Sequence, residues 1–241
     1  MKLNCDLGES FGNWPMGLDS EVMPHIDMAN IACGFHAGDA DVMAHTLSLA
    51  KQHNVIIGAH PSYPDLQGFG RRSMALCHSE IVNCLRYQIA ALDGMARSSG
   101  LTLSYVKPHG ALYNDMMAKP AVFAAVLEAV AGYYQPLQLM LLATKAQQFY
   151  RDLAAEAKVA LLFEAFADRR YSDDGTLLPR NQSGAVLHQA DTLAQVTQLV
   201  QHGTVTTATG RQLPLQADTL CVHGDNPAAI TQVKQIKALL A

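Results

Sequence analysis

The sequence predicts an α/β fold, a (β/α) barrel of about seven strands, and two observations carry that reading. Short β-branched or aliphatic runs alternate from end to end with longer segments of helical period. Parallel neighbours need a crossover connection, so this alternation means a mostly parallel sheet. The second observation concerns closure: no G-x-G-x-x-G fingerprint follows the first run, and chemically capable residues follow most runs instead of clustering after one. Both features favour a barrel over a doubly wound open sheet, the alternative.

The strand runs are residues 2–6, 28–32, 55–59, 103–107, 138–142, 161–164 and 219–222, with a weaker one at 185–187. Helical periods cover 40–53, 79–98, 115–130, 144–157, 192–201 and 227–240. Asp39, Ser79 and Asp115 stand where N-caps belong, because a short polar side chain can accept from the unpaired N–H groups of a first turn. Pro227 fits the first helical position, where a missing N–H costs nothing, and Gly100 fits a C-terminal cap. Long connections at 7–24, 60–78 and 167–184 are rich in Gly, Pro, Asp and Arg, the composition of loops that cover active sites. Residues 204–214 read as a small hairpin, and no linker or repeat divides the chain, so one barrel domain is expected over 1–241.

Composition narrows the function. The 241 residues carry 17 Lys+Arg against 21 Asp+Glu, a net charge of −4, and are 49% hydrophobic. A chain of this length buries roughly 70% of its unfolded surface, so stability requires neither metal nor disulfide. Without a run of like charges, nucleic acid and anionic membranes are not expected partners. The first twenty residues hold Asp6, Glu9 and Asp19 and no apolar run, so neither a secretion signal nor an anchor is expected. The longest apolar stretches, such as 137–143, fall well short of the roughly 18 residues of a membrane span. Five cysteines, an odd number without a C-x-x-C pair, read as reduced thiols in a cytoplasmic protein.

Four of the ten histidines, His36, His60, His109 and His223, sit just beyond strand runs, as do the carboxylates Asp6, Glu164, Asp168 and Asp225. The C-terminal ends of parallel strands share one rim, so these residues should become neighbours there. Lys107 ends a run beside Pro108 and His109, which places an ammonium at the pocket floor. The pairs Arg71/Arg72 and Arg169/Arg170 lie on loops, where one of each pair can clamp an anion. Asp6, His36 and His60 form a mixed carboxylate and imidazole set able to hold a divalent metal, although no H-x-x-x-H or H-E-x-x-H pair is present. The other histidines lie in helices or loops and read as structural or solvated. No G-x-x-x-x-G-K-[ST] segment, kinase glycine loop or G-x-S-x-G elbow occurs.

The segments LNCDLGESFGNW, MANIACGFHAGD, GAHPSYPDLQGFGRR, VKPHGALYN, FEAFADRRYSDDGTLLPR and CVHGDN, in this order and over almost the whole chain, closely resemble the 5-oxoprolinase A-subunit family, also labelled LamB/YcsF. The resemblance implies an irregular, roughly seven-stranded barrel of the glycoside hydrolase/deacetylase type. It implies ATP-dependent opening of 5-oxoproline (pyroglutamate) to L-glutamate together with two partner subunits. ATP is then expected on the partners. On that reading, Asp6 or Glu164 positions or deprotonates water, and His60 and His109 shuttle protons to the ring nitrogen. Lys107 with Arg71 or Arg169 holds the substrate carboxylate or phosphate. Asn4, Asn30 and Asp225 orient these groups, and His36, Asp168 and His223 complete the expected substrate-contacting set. One departure is visible: family members often show Pro-Gly-Ala where this chain has Ser183-Gly184-Ala185, a change in loop stiffness. Two competing readings are a stand-alone metal-dependent amidohydrolase or deacetylase and a non-catalytic subunit that delivers substrate.

Overall fold

A computed structural model describes residues 1–223 and 227–240. Its strands are β1 (Lys2–Leu7), β2 (Met28–Ala32), β3 (Ile56–His60), β4 (Leu103–Val106), β5 (Gln138–Leu142), β6 (Leu161–Phe166), β7 (Thr204–Thr206), β8 (Gln212–Pro214) and β9 (Thr219–Cys221). The order β1-β2-β3-β4-β5-β6-β9 closes into a barrel, every pair parallel, while β7 and β8 form a separate antiparallel hairpin. The expected barrel with seven strands is therefore present. The helices are α1 (Asp19–Val22), α2 (Ala40–Gln52), α3 (His78–Ser98), α4 (Gly110–Ala118), α5 (Pro120–Ala131), α6 (Gln147–Glu156), α7 (Gln189–His202) and α8 (Pro227–Leu240). Among the described residues, no helix is long and apolar enough to cross a membrane.

Side-chain alternation along the strands separates core from chemistry. Leu3, Cys5 and Leu7 of β1, Ala29 and Ile31 of β2, and Leu139 and Leu141 of β5 belong to the main core, where the strands meet the helices. Asn4, Asp6, Asn30 and His60 occupy the alternate positions and bond to one another or across the barrel. The barrel interior rests on a small apolar cluster of Met28, Tyr105 and Met140, flanked by Ile56 and Leu162. Gly58 of β3 makes room for the Tyr105 ring: a Cβ there would lie 2.2 Å from it. Placed so, the Tyr105 hydroxyl donates to Asn30 Oδ1 at 2.6 Å.

Several local expectations need correction. Ser79 is not a cap: α3 starts one residue earlier, and Cys77 takes the capping position, its N–H donating to Glu80 Oε2 at 2.6 Å. Asp115 is not a cap either but lies buried inside α4, accepting from the Tyr63 hydroxyl at 3.0 Å and from Ser73 Oγ at 3.1 Å. The single helix expected over 115–130 is two, because Pro120 forces the preceding Lys119 into an extended conformation (φ −125°, ψ 108°). The weak run at 185–187 is no strand; Val186 makes only an isolated bridge to Arg169. Asp39 does cap α2, accepting from the N–H groups of Asp41 (3.0 Å) and Val42 (2.9 Å), and Gly100 follows α3 with φ 74°.

Candidate active site

At the C-terminal ends of the strands a cavity of about 630 Å³ opens, with Asp6, Glu9, His60, Lys107, His109 and His223 among its lining. These residues come from the ends of β1, β3, β4 and β9 or the loops that follow, which is the convergence a closed parallel barrel imposes.

Lys107 sits under the floor of this cavity. Its N–H continues the sheet to Ala59 O at 2.8 Å, and its ammonium turns inward to Asp6 Oδ1 (2.8 Å) and Glu164 Oε2 (3.1 Å). It also donates to Cys221 Sγ at 3.3 Å. Burial alone would lower the Lys107 pKa, but Asp6, Cys221 and Glu164 outweigh it, and the ammonium is held well above its usual range. Burial likewise opposes ionisation of Asp6, yet the Lys107 ammonium beside it dominates and its carboxyl lies well below the usual range. Asn30 Nδ2 donates to Asn4 Oδ1 (2.8 Å) and Asp6 Oδ1 (2.7 Å), and Asn4 Nδ2 donates to Thr219 Oγ1 (2.9 Å), so both asparagines brace the carboxylates from below. Glu164 is fully buried beneath Lys107, with the Tyr113 hydroxyl beside it.

Two imidazoles, His60 and His109, line the adjoining wall, and His36, expected to contact substrate, is buried behind them and does not line the cavity. His60 Nδ1 lies 2.6 Å from Lys107 O, and His109 Nε2 lies 2.9 Å from Phe69 O. A carbonyl only accepts, so both contacts fix these nitrogens as the N–H donors. The remaining nitrogens, His60 Nε2 and His109 Nδ1, face each other at 3.0 Å. His36 stacks on His109 with ring centroids 3.7 Å apart and reaches Glu9 Oε1 with Nε2 at 3.0 Å. Burial holds the His36 and His109 pKa values well below those of free imidazole, and burial raises that of Glu9. Gly70 and Gly110 make this wall possible. Both have positive φ (64° and 57°), and a Cβ on Gly70 would lie 2.8 Å from His109 Cδ2 and from His36 Cβ.

On the opposite side His223 Nδ1 bonds Asp168 Oδ2 at 2.8 Å. Burial works against the imidazolium, but Asp168 prevails and raises the His223 pKa; the same pairing lowers that of Asp168 against its own burial. Arg71 lines the cavity with its guanidinium 5.0 Å from the Phe69 ring centroid, whereas Arg72 is exposed and paired with Asp65. Arg169 lines it too, but donates to Ala185 O (3.3 Å) and Leu178 O (2.5 Å), which ties down its own loop. Asp225 lies outside the described residues.

A family model for the LamB/YcsF family matches residues 1–241. The chain belongs to the LamB/YcsF family. Among relatives, the 5-oxoprolinase A subunit of Vibrio cholerae serotype O1 is 56% identical over 241 residues, covering 100% of this chain and 97% of the relative. The 5-oxoprolinase A subunit of Pseudomonas fluorescens is 54% identical over 239 residues, covering 99% and 96%. The crystal structure of a lactam utilization protein from Thermus thermophilus superposes with a TM-score of 0.91 at 36% identity, covering 100% of this chain and 95% of that one.

In this LamB/YcsF barrel, sequence reasoning missed several residues of the cavity wall, Glu9, Tyr113 and Arg180 among them. Glu9 was within reach, since it is a second carboxylate three residues after Asp6, in the loop that follows β1. Tyr113 gives no such signal. It stands on the inner face of α4, where an aromatic residue reads as core, and its buried hydroxyl lies against Glu164.

Proposed function

We propose that this chain is the A subunit of an ATP-dependent 5-oxoprolinase, a hydrolase that opens the lactam of 5-oxoproline to L-glutamate with two partner subunits in the cytoplasm. Full-length similarity to proteins named as the A subunit of 5-oxoprolinase supports the substrate, and the cavity is large enough for a small cyclic amide. A five-membered lactam is a stable amide, so ATP serves to activate its carbonyl oxygen. The lack of a nucleotide-loop signature in this sequence accords with ATP being handled by the partners.

The observation that carries the reading is the juxtaposition, in one cavity, of an ionised acid, a fixed cation and an imidazole raised in pKa. Asp6, held ionised beside Lys107, orients the water that adds to the ring carbonyl carbon. Glu164, the other residue considered for that task, is buried beneath Lys107 and serves to hold it. Arg71 takes the substrate carboxylate. When the C–N bond opens, the nitrogen must gain a proton. His60 and His109 have committed their N–H groups to backbone carbonyls, so delivery falls to His223, whose pKa Asp168 raises; its Nε2 accepts from Arg180 Nη2 at 3.1 Å and becomes the proton donor when Arg180 turns from it to the substrate anion.

The test is glutamate release from 5-oxoproline plus ATP, comparing this chain alone, the partners alone and the complete complex. Only the complete set should turn over. Turnover by this chain alone without ATP would overturn the assignment. Full activity of the complex carrying Asp6→Ala or His223→Ala would overturn the residue roles.

A further inference from the structure

Inside the cavity, hydrogen-bond acceptors face one another. His60 and His109 each spend their N–H on a main-chain carbonyl, so His60 Nε2 and His109 Nδ1 turn lone pairs towards each other across 3.0 Å. Asp6 Oδ2 stands 3.4 Å from His60 Nε2, and Glu9 Oε1 stands 3.4 Å from His109 Nδ1. The ligand atoms of Glu9, His60 and His109 all lie within 4.8 Å of one another, and acceptors so grouped repel unless a positive charge lies among them. Lys107 cannot supply it, because its ammonium is taken up by Asp6 Oδ1 and Glu164 Oε2.

We propose that His60 Nε2, His109 Nδ1 and Glu9 Oε1 bind one divalent transition-metal ion, with Asp6 Oδ2 beside His60 at 3.4 Å. Donors held about 2.0–2.2 Å from one ion lie about 3–3.5 Å from each other, and the His60–His109 (3.0 Å) and His109–Glu9 (3.4 Å) separations fall within that span. The two carbonyl contacts are the outer partners that fix tautomer and ring direction in metal-bound histidines. His36 plays a similar part for Glu9, reaching its Oε1 at 3.0 Å. Two nitrogen donors and a carboxylate without thiolate suit Zn²⁺ or Mn²⁺ better than Mg²⁺ or Ca²⁺, which prefer oxygen alone. The set differs from the one expected from sequence: His60 remains, His109 and Glu9 join, Asp6 stands beside His60, and His36 moves behind Glu9.

The bound ion would face the cavity beside Asp6, next to the position assigned above to the attacking water. The proposal does not depend on 5-oxoproline being the substrate, because metal uptake is measured without it.

The experiment uses the full chain, stripped with a chelator and titrated with Zn²⁺, Mn²⁺ and Mg²⁺ by calorimetry, with bound metal counted by elemental analysis. One Zn²⁺ or Mn²⁺ per chain is expected, with much weaker Mg²⁺ binding. Co²⁺ loading should give visible d–d bands that shift in Glu9→Gln. His109→Ala should abolish stoichiometric uptake, and His36→Ala should weaken it ~10–100-fold, the scale for losing an outer partner. His78→Ala, at an exposed histidine distant in sequence from the cluster, should bind like the parent. Far-UV circular dichroism establishes that each variant is folded. Lack of saturable uptake by the parent, leaving a shared proton to separate the two imidazoles, would overturn the proposal. So would uptake unchanged in folded His109→Ala and Glu9→Gln.

Discussion

Lys107 Nζ lies 2.8 Å from Asp6 Oδ1, a contact 101 residues long in sequence that ties the end of β4 to β1 across the barrel interior. Glu164 meets the same ammonium at 3.1 Å from β6, so one cation joins three strands. Removing it leaves two buried carboxylates without a counter-charge. Lys107→Met should therefore cost about 3–5 kcal/mol of stability, read by urea unfolding. Adding Glu164→Gln to that variant should restore part of the loss; no recovery would mean that Glu164 is not held by this charge.

The Asp168–His223 pair sets a pH dependence. Its imidazole has a folded pKa raised above the ordinary value of about 6.5, so the imidazolium is favoured by folding. The resulting stabilisation is complete below the unfolded value and fades as pH rises through the folded one. An NMR titration should place His223 above about 6.5 in the parent. In Asp168→Asn, where burial and Arg180 are opposed only by Asp6, it should move lower. If His223 delivers the proton, activity of the complete enzyme should fall on the alkaline side, and that limb should shift to lower pH in the variant. An unmoved limb would remove His223 from that role.

Arg71 and Arg72 are sequence neighbours with opposite fates, one on the cavity wall and the other exposed against Asp65. Loss of a charged hydrogen bond is worth about 1.5–3 kcal/mol, or roughly 10–100-fold. Arg71→Ala should raise KM for 5-oxoproline by that factor in the assembled complex, and Arg72→Ala should leave it nearly unchanged. Equal effects would rule out Arg71 as the carboxylate clamp.

Gly58→Ala tests the packing beneath the site. The added methyl meets the Tyr105 ring, so the ring must move and its hydrogen bond to Asn30 must lengthen or break. Overpacking of this kind costs about 1–3 kcal/mol, measurable by thermal or urea unfolding. Wild-type stability in this variant would show that the barrel interior yields more readily than its burial indicates.

Much of this architecture was legible in the residue pattern, and the exceptions share a cause. The seven barrel strands stood out because each is a short aliphatic run bounded by polar residues. The rim histidines stood out because closure of a parallel barrel carries strand ends to one side. Ser79 and Asp115 misled because a capping residue is recognised by its chemistry alone, while its use depends on what lies nearby. Asp115 found the Tyr63 hydroxyl and Ser73 instead of a helix terminus. The weak run at 185–187 failed because its neighbour is the Arg169 segment and not a barrel strand.

Local order along the chain was enough to establish a barrel and to bring Asp6, His60, Lys107, His109 and His223 to one mouth, since period-two alternation and parallel crossovers act over a few residues at a time. The division of labour among those side chains was settled only on folding. Glu164 sank beneath Lys107, Glu9 came forward, and two carbonyls, Lys107 O and Phe69 O, oriented the imidazoles. Hydrogen-bond direction and buried charge act over a few ångströms in space, between residues that composition and spacing cannot pair.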